Sequence, residues 1–492
     1  MSLADLTATE LLRRYRERSL SPVEVLEDVL ARVDQLEPHL CATYALDPDG
    51  ARAAARESEA RWRDNTAGLL DGVPVTVKEN IATRGTPVPQ GTAATELIPA
   101  AEDAPAAARL RAAGAVIFSK TTMPEYGMLS SGVSTFHPLT RNPWDVSRTA
   151  GGSSAGAAAA AAAGYGPIHI GTDIGGSIRL PAGWCGLVGL KPTHGRIAVG
   201  NPYPGRAIGP LTRTAADAAL ALSVMSGYDP RDHTSYPPPP ENAALQNMAL
   251  QNTALLNMVL LNTGLVNTDL ENAASAPESA LCQGLRVALL LDAGLGLPVD
   301  PEITAAVSAA AAVLEKAGAI VEPIAPIITR EMLDGLDRFW RIRSATDIAA
   351  LPEERRAKVL PQIRDWVSTA GELTGSDVFH GYSQMGAMAA AVTAVFRSYD
   401  VILSPVAPIT AFPAELAYPT DDPSKPFEHI AFTVPYNMSA HPATTLNAGW
   451  STTGLPIGAQ IAVPHHQDMT ALALAAYIDS ALSDHRPWPT QL

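Results

Sequence analysis

Gly151-Gly152-Ser153-Ser154-Ala155-Gly156, running straight into the alanines 157–163, and then Gly171-Thr172-Asp173-Ile174-Gly175-Gly176-Ser177-Ile178-Arg179 form the stretch on which the fold turns. Alanine has the highest helix propensity, so Ser153 and Ser154 stand at the turn into a helix N-terminus, where backbone N–H groups favour negative charge. In the second stretch Gly175 and Gly176 allow a tight turn, which lets the N–H groups of Ile174, Gly175, Gly176 and Ser177 converge on one point. Upstream, after Asp71-Gly72, residues 73–77 read as a short β-branched strand with Lys78 at its end. Strand ends are where open α/β sheets place their ligands and chemistry.

The same alternation extends outward. Residues 104–113 read as an alanine-rich helix closed by Gly114, and 115–118 as a buried strand. A strand over 285–291, a helix over 301–317 and a strand at 320–321 follow, and the pattern returns with a strand over 457–463 and a helix over 469–482. Together they predict an α/β fold. The first 65 residues form a helical N-terminal layer within it, with capping chemistry at Thr7, Thr9 and Ser21-Pro22. One segment breaks the pattern. Over 244–273 leucine recurs every fifth residue, at 245, 250, 255, 260, 265 and 270, with asparagine two places after each. Period five suits neither helix nor strand. Residues 241–276 are therefore expected to be a low-complexity surface insertion in a single domain spanning 1–492, with self-association as the alternative role.

The chain has 492 residues, 47% hydrophobic and 17% charged, which describes a soluble globular protein with a large core. A net charge of −15 argues against non-specific nucleic-acid binding and acidic membrane surfaces. Cys41, Cys185 and Cys282 are too few and too scattered for a disulfide framework or thiolate metal site. With no signal-peptide pattern at the N-terminus and no apolar run long enough to span a bilayer, a cytoplasmic location is expected. His137, His194 and the pair His465-His466 lack metal spacing and read as loop or surface histidines, so no metal and no cofactor is expected.

Amide cleavage needs a nucleophile, a base for its proton and donors for the developing oxyanion. The serines and the glycine-rich turn supply the first and third. Lys78 can supply the second only if burial removes its proton, which at pH 7 costs roughly 4.6 kcal/mol for an unperturbed lysine. Its neighbours Val75, Val77 and Ile81 provide apolar surroundings that would lower its pKa.

The run from Gly151 through Gly171–Ala182 to Cys185-Gly186-Leu187-Val188-Gly189-Leu190-Lys191-Pro192-Thr193 resembles the signature of the amidase signature enzymes. Residues 70–80, 119–125, 209–214 and 454–460 fit as well, so the resemblance covers nearly the whole chain outside the pentad insertion. It implies a central twisted mixed sheet of about eleven strands covered by helices on both faces. By that resemblance the catalytic lysine falls on Lys78, the bridging serine with its cis peptide on Ser153, and the acyl-forming nucleophile on Ser177. The oxyanion donors fall on Ile174, Gly175, Gly176 and Ser177, a substrate-facing backbone contact on Gly127, and supporting roles on Asp173 and Arg179. The implied reaction is hydrolysis of a carboxylic amide, aryl amide or carbamate through an acyl-serine, with a small-molecule amide as substrate. Two departures, Ala155 for glycine and Glu79 for aspartate, avoid the reacting atoms.

Three other readings stay open. Gly152-Ser153-Ser154-Ala155-Gly156 also satisfies G-x-S-x-G, the nucleophile elbow of α/β-hydrolases, with Ser154 as nucleophile and Asp377, Asp468, His441 or His465 as partners. Within the family, the glutaminase component of a tRNA-dependent amidotransferase is the rival to a stand-alone amidase. A non-enzymatic scaffold is the third, and homodimerisation is open as well. Phe339-Trp340-Arg341-Ile342-Arg343 reads either as an amphipathic helix face or as a wall of the acyl pocket.

Overall fold

One mixed sheet organises the computed structural model, which describes residues 2–237, 281–482, 484 and 486–490. Its strands, with a separate hairpin of β4 and β5, are β1 (Thr43–Tyr44), β2 (Pro74–Lys78), β3 (Val116–Thr121), β4 (Arg141–Asn142), β5 (Asp145–Thr149), β6 (Ile168–Asp173), β7 (Val188–Lys191), β8 (Ala207–Thr212), β9 (Arg286–Leu289), β10 (Ile320–Pro323), β11 (Val401–Pro405), β12 (Ala443–Trp450) and β13 (Pro456–Ala462). The eleven strands of the main sheet lie in the order β1-β3-β2-β6-β8-β7-β12-β13-β11-β9-β10. β3, β2 and β6 run parallel, as do β11, β9 and β10, while the strands between them are antiparallel. The sheet has the size and mixed character expected. The pentad repeat over 241–276 lies outside the described residues.

Strand alternation explains why helices cover both faces. On β11, Val401 and Leu403 join Val307 and Leu314 of the helix Pro301–Lys316, whereas Ile402 between them packs with Leu336 and Met388 of the helices Arg330–Ala349 and Gly375–Val395. All three β11 residues are fully buried, each contributing about 1.5–3 kcal/mol of hydrophobic stabilisation. On β2, Val75 and Val77 enter the core with the alanine helix Ala155–Ala163, while Thr76 faces the other way and bonds His169.

The first 65 residues hold the helices Ala8–Arg16, Pro22–Leu40 and Pro48–Asp64. Ser21 and Glu24 complete a capping box at the second helix, worth about 1 kcal/mol. Between the second and third of these helices lies β1, which two residues of no distinctive pattern could not announce. The alanine helix is buried along its whole length, so small side chains let it lie against the sheet. At Gly156 a Cβ would come 2.2 Å from the Ala42 carbonyl oxygen. Among the described residues no helix is long and apolar enough to cross a membrane.

Candidate active site

β2 and β6 are parallel neighbours, with Val77 opposite Ile170, so Lys78 at the end of one strand meets Thr172 near the end of the other. Lys78 is fully buried. Its Nζ lies 2.8 Å from Ser153 Oγ, 2.9 Å from Thr172 Oγ1 and 3.2 Å from Ser154 Oγ. Burial pushes the ammonium down to about 7, with Arg206 helping and the carboxylates of Asp173 and Glu79 opposing. The condition set by the sequence, a desolvated lysine, is met.

Ser153 follows a cis peptide from Gly152 and occupies the turn before the alanine helix. No side chain fits at Gly152, where a Cβ would lie 2.5 Å from the Ser131 carbonyl oxygen. Gly127, at φ +67°, sits beside Ser153: a Cβ there would approach Ser153 Oγ to 3.3 Å. Ser153, Ser177, Thr172 and Gly127 line one cavity of about 570 Å³. Its apolar wall includes Ile174, Leu180, Trp340, Phe427 and Ile430. The Ser177 side chain has no hydrogen-bond partner among the described residues, and its carbonyl accepts from the Ser154 N–H at 3.1 Å.

The turn carrying Ser177 is held from behind by Asp173. Its carboxylate accepts from the N–H groups of Gly176 at 2.8 Å and Ile178 at 3.0 Å, from Arg179 at 2.9 Å and from Asn437 at 2.8 Å. Burial alone would raise the Asp173 carboxyl, but Arg179, Asn437 and the Ile178 N–H outweigh it and hold it well below the ordinary carboxylate range. Arg179 and Asp173 are both fully buried. Arg179 also reaches the Thr433 carbonyl at 2.8 Å and Gln460 at 2.6 Å. These contacts correct one expectation. The Gly176 N–H is engaged by Asp173, because a buried carboxylate must collect donors, and so it is not free to face the cavity. The N–H groups of Ile174, Gly175 and Ser177 have no partner among the described residues.

Neighbouring groups complete the site. His137 lies in a loop and is buried there, and its Nε2 meets Glu79 at 2.7 Å. Glu79 also accepts from the N–H groups of Gln90 and Gly91, so the longer glutamate braces the loop that leads toward Gly127. Ser154 is fully buried, bonded to Lys78 and to the Thr172 backbone, and no histidine bonds it among the described residues. His441 and His465 instead stack on each other at 3.8 Å. The G-x-S-x-G reading therefore has neither an accessible nucleophile nor a base. Thr172, Asn437 and Thr433 were not singled out from the sequence. Thr172 lies inside the quoted signature, whereas Asn437 sits in a segment with no motif. Among the described residues no group of histidine, cysteine and carboxylate side chains is placed to hold a metal ion.

Residues 24–472 match the family model described as Amidase. The chain belongs to the amidase family. It is 34% identical over 493 residues to an acylamidase of Rhodococcus erythropolis, across 98% of this chain and 96% of the relative. It is 30% identical over 500 residues to a glutamyl-tRNA(Gln) amidotransferase component from Picosynechococcus, across 95% and 96%. A bacterial aryl acylamidase of the amidase signature family superposes with a TM-score of 0.82 at 26% identity, covering 97% of this chain and 96% of that one. As an amidase signature enzyme the protein is a hydrolase acting on amide C–N bonds.

Proposed function

We propose that Ser177 forms the acyl-enzyme, that Ser153 relays protons and that Lys78 is the resting base in its neutral form. The observation that carries this reading is a fully buried Lys78 bonded at 2.8 Å to Ser153, which shares a cavity with the unpartnered Ser177 hydroxyl. A neutral amine has two N–H donors and one lone pair, which matches three hydroxyl neighbours if one of them donates inward. As Ser177 Oγ attacks the carbonyl carbon, its proton passes to Ser153 and the Ser153 proton to Lys78. The N–H groups of Ile174, Gly175 and Ser177 are the available donors for the oxyanion. When the C–N bond breaks, the leaving nitrogen takes a proton from Ser153, which Lys78 restores. Water then cleaves the acyl-serine by the same route, so amide plus water yields acid plus amine.

Asp173 and Arg179 act as positioning residues for the Ser177 turn, and Gly127 gives the substrate close backbone access. The whole chain, on this reading, works as one catalytic domain and as a stand-alone amidase of the cytoplasm, where its three unpaired cysteines stay reduced. Mass spectrometry after brief exposure to an activated amide tests the central claim. An acyl adduct on Ser177 is expected, and an adduct on Ser153 or Ser154 would overturn the assignment. Amide hydrolysis by the purified chain, unchanged by added amidotransferase partner proteins, separates a stand-alone enzyme from a glutaminase component.

A further inference from the structure

Among the described residues three arginines line the cavity: Arg231 is paired with Asp229 and Glu102, whereas Arg206 and Arg343 form no ion pair that close and bond none of the reacting side chains. Arg206 immediately precedes β8, and Arg343 lies on the helix Arg330–Ala349. Trp340, Arg343, Ser344, Asp347 and Ile348 all line the cavity, and their spacing of three and four places them on one face of that helix. The segment 339–343 is thus both an amphipathic helix and a pocket wall. The two guanidinium groups meet on the ring of Tyr203, with Arg206 Cζ 5.6 Å and Arg343 Cζ 4.9 Å from its centroid.

Their charge is poorly answered by the protein. Among the described residues the Arg206 guanidinium bonds only the Asn201 carbonyl oxygen, at 3.1 Å, and no carboxylate lies within salt-bridge distance of it. Burial and the like charge of Arg343 both press on its protonated form. Arg343 has Asp347 at 3.9 Å, and that carboxylate is largely exposed. The other acids of the cavity, Glu102 and Asp103, are taken by Arg231 at 3.2 Å and Arg111 at 2.9 Å. Two neighbouring cations in a partly buried wall repel one another and lose hydration, unless an anion joins them when the cavity fills.

We propose that the substrate carries a carboxylate remote from the scissile amide and that Arg206, assisted by Arg343, binds it. The proposal rests on the reading that Ser177 reacts in this same cavity. Asp347 already offsets part of the Arg343 charge, so the pair presents about one net positive charge, which suits a monoanion better than a phosphate dianion. A planar guanidinium fork also matches a carboxylate edge to edge. The carboxylate can belong to the acyl half or to the amine half of the substrate.

Paired amides assayed with the full chain separate these cases. One arm compares ω-carboxyalkanamides with methyl-terminated alkanamides of equal length. The other compares N-acetyl ω-amino acids with N-acetyl alkylamines. In one arm kcat/KM should favour the anionic member by about ten- to a hundredfold, as a charge-assisted contact allows, and that arm names the half that carries the charge. The preference should fall on the order of tenfold in Arg206→Gln and in Arg343→Gln, chiefly through KM, and Arg206→Lys should recover part of it. A preference for the neutral member in both arms, or a preference retained in both glutamine variants, overturns the proposal. Calorimetric binding of the same pairs to Ser177→Ala, with and without Arg206→Gln, reads the carboxylate contact without turnover, and equal binding of charged and neutral members there also overturns it. Turnover surviving in Ser177→Ala would instead refute the nucleophile assignment and leave the carboxylate preference measurable.

Discussion

Replacing Lys78 by methionine should change how stability responds to pH in a way that reveals the protonation state of the buried amine. An ordinary lysine titrates near 10.5, and burial lowers Lys78 to about 7. Between those values the unfolded chain holds a proton that the folded protein lacks, so wild-type stability rises with pH through that window at a little over 1 kcal/mol per unit. Below about pH 7 both states are protonated and the dependence disappears. Across the whole window the contribution is on the order of 5 kcal/mol, of which roughly 2 kcal/mol should appear between about pH 7 and pH 9. Lys120 and Lys191 are also buried, with values lowered by burial to about 8 and about 7, but they titrate in both proteins and cancel in the difference. Urea unfolding of wild type and Lys78→Met at stepped pH gives that difference directly. Methionine removes the bonds to Ser153, Ser154 and Thr172 as well, which offsets the curves without tilting them. If the stability difference stays flat from pH 7 to 9, Lys78 keeps its proton in the fold and cannot be the resting base.

Other outcomes follow from the same geometry. The kcat/KM for a neutral amide should rise with pH up to about 7 and then level off, because only neutral Lys78 accepts a proton; a rate independent of pH from 5 to 8 would contradict this. Ser177→Ala should eliminate turnover, while Ser153→Ala should leave a slow remnant, since the relay is lost but the nucleophile is not; equal residual rates would argue against the division of roles. Asp173→Asn leaves Arg179 buried without its counter-charge, so unfolding free energy should drop by about 3–5 kcal/mol, measured by urea titration with the midpoint of folding as readout. Gly127→Val forces a β-branched residue to φ +67° with its Cβ 3.3 Å from Ser153 Oγ, and kcat should fall on the order of a hundredfold, with circular dichroism confirming an intact fold.

Much of this protein is written locally. The alternation in residues 73–77, the alanine run behind Ser153 and the glycines before Ser177 each dictate backbone shape within a few residues, and the structure places strand, helix and tight turn there. The proposed reacting groups were legible for the same reason, because Lys78, Ser153 and Ser177 sit on those local features. Other contributions depend on which strands become neighbours. Lys78 reaches Thr172 only because β2 pairs in parallel with β6, and Asp173 receives Asn437 from 264 residues away. The loss of Gly176 as a free donor follows from that same carboxylate, which no periodicity reveals. Arg206 and Arg343 are 137 residues apart and meet only across the filled interior, on the ring of Tyr203. Propensity, capping and turn geometry act over one or two helical turns, so sequence alone determined the elements and pointed to the side chains proposed to react. Burial and charge pairing sum over the whole packed interior, and only the tertiary structure decided which lysines are buried and which arginines are left facing the cavity.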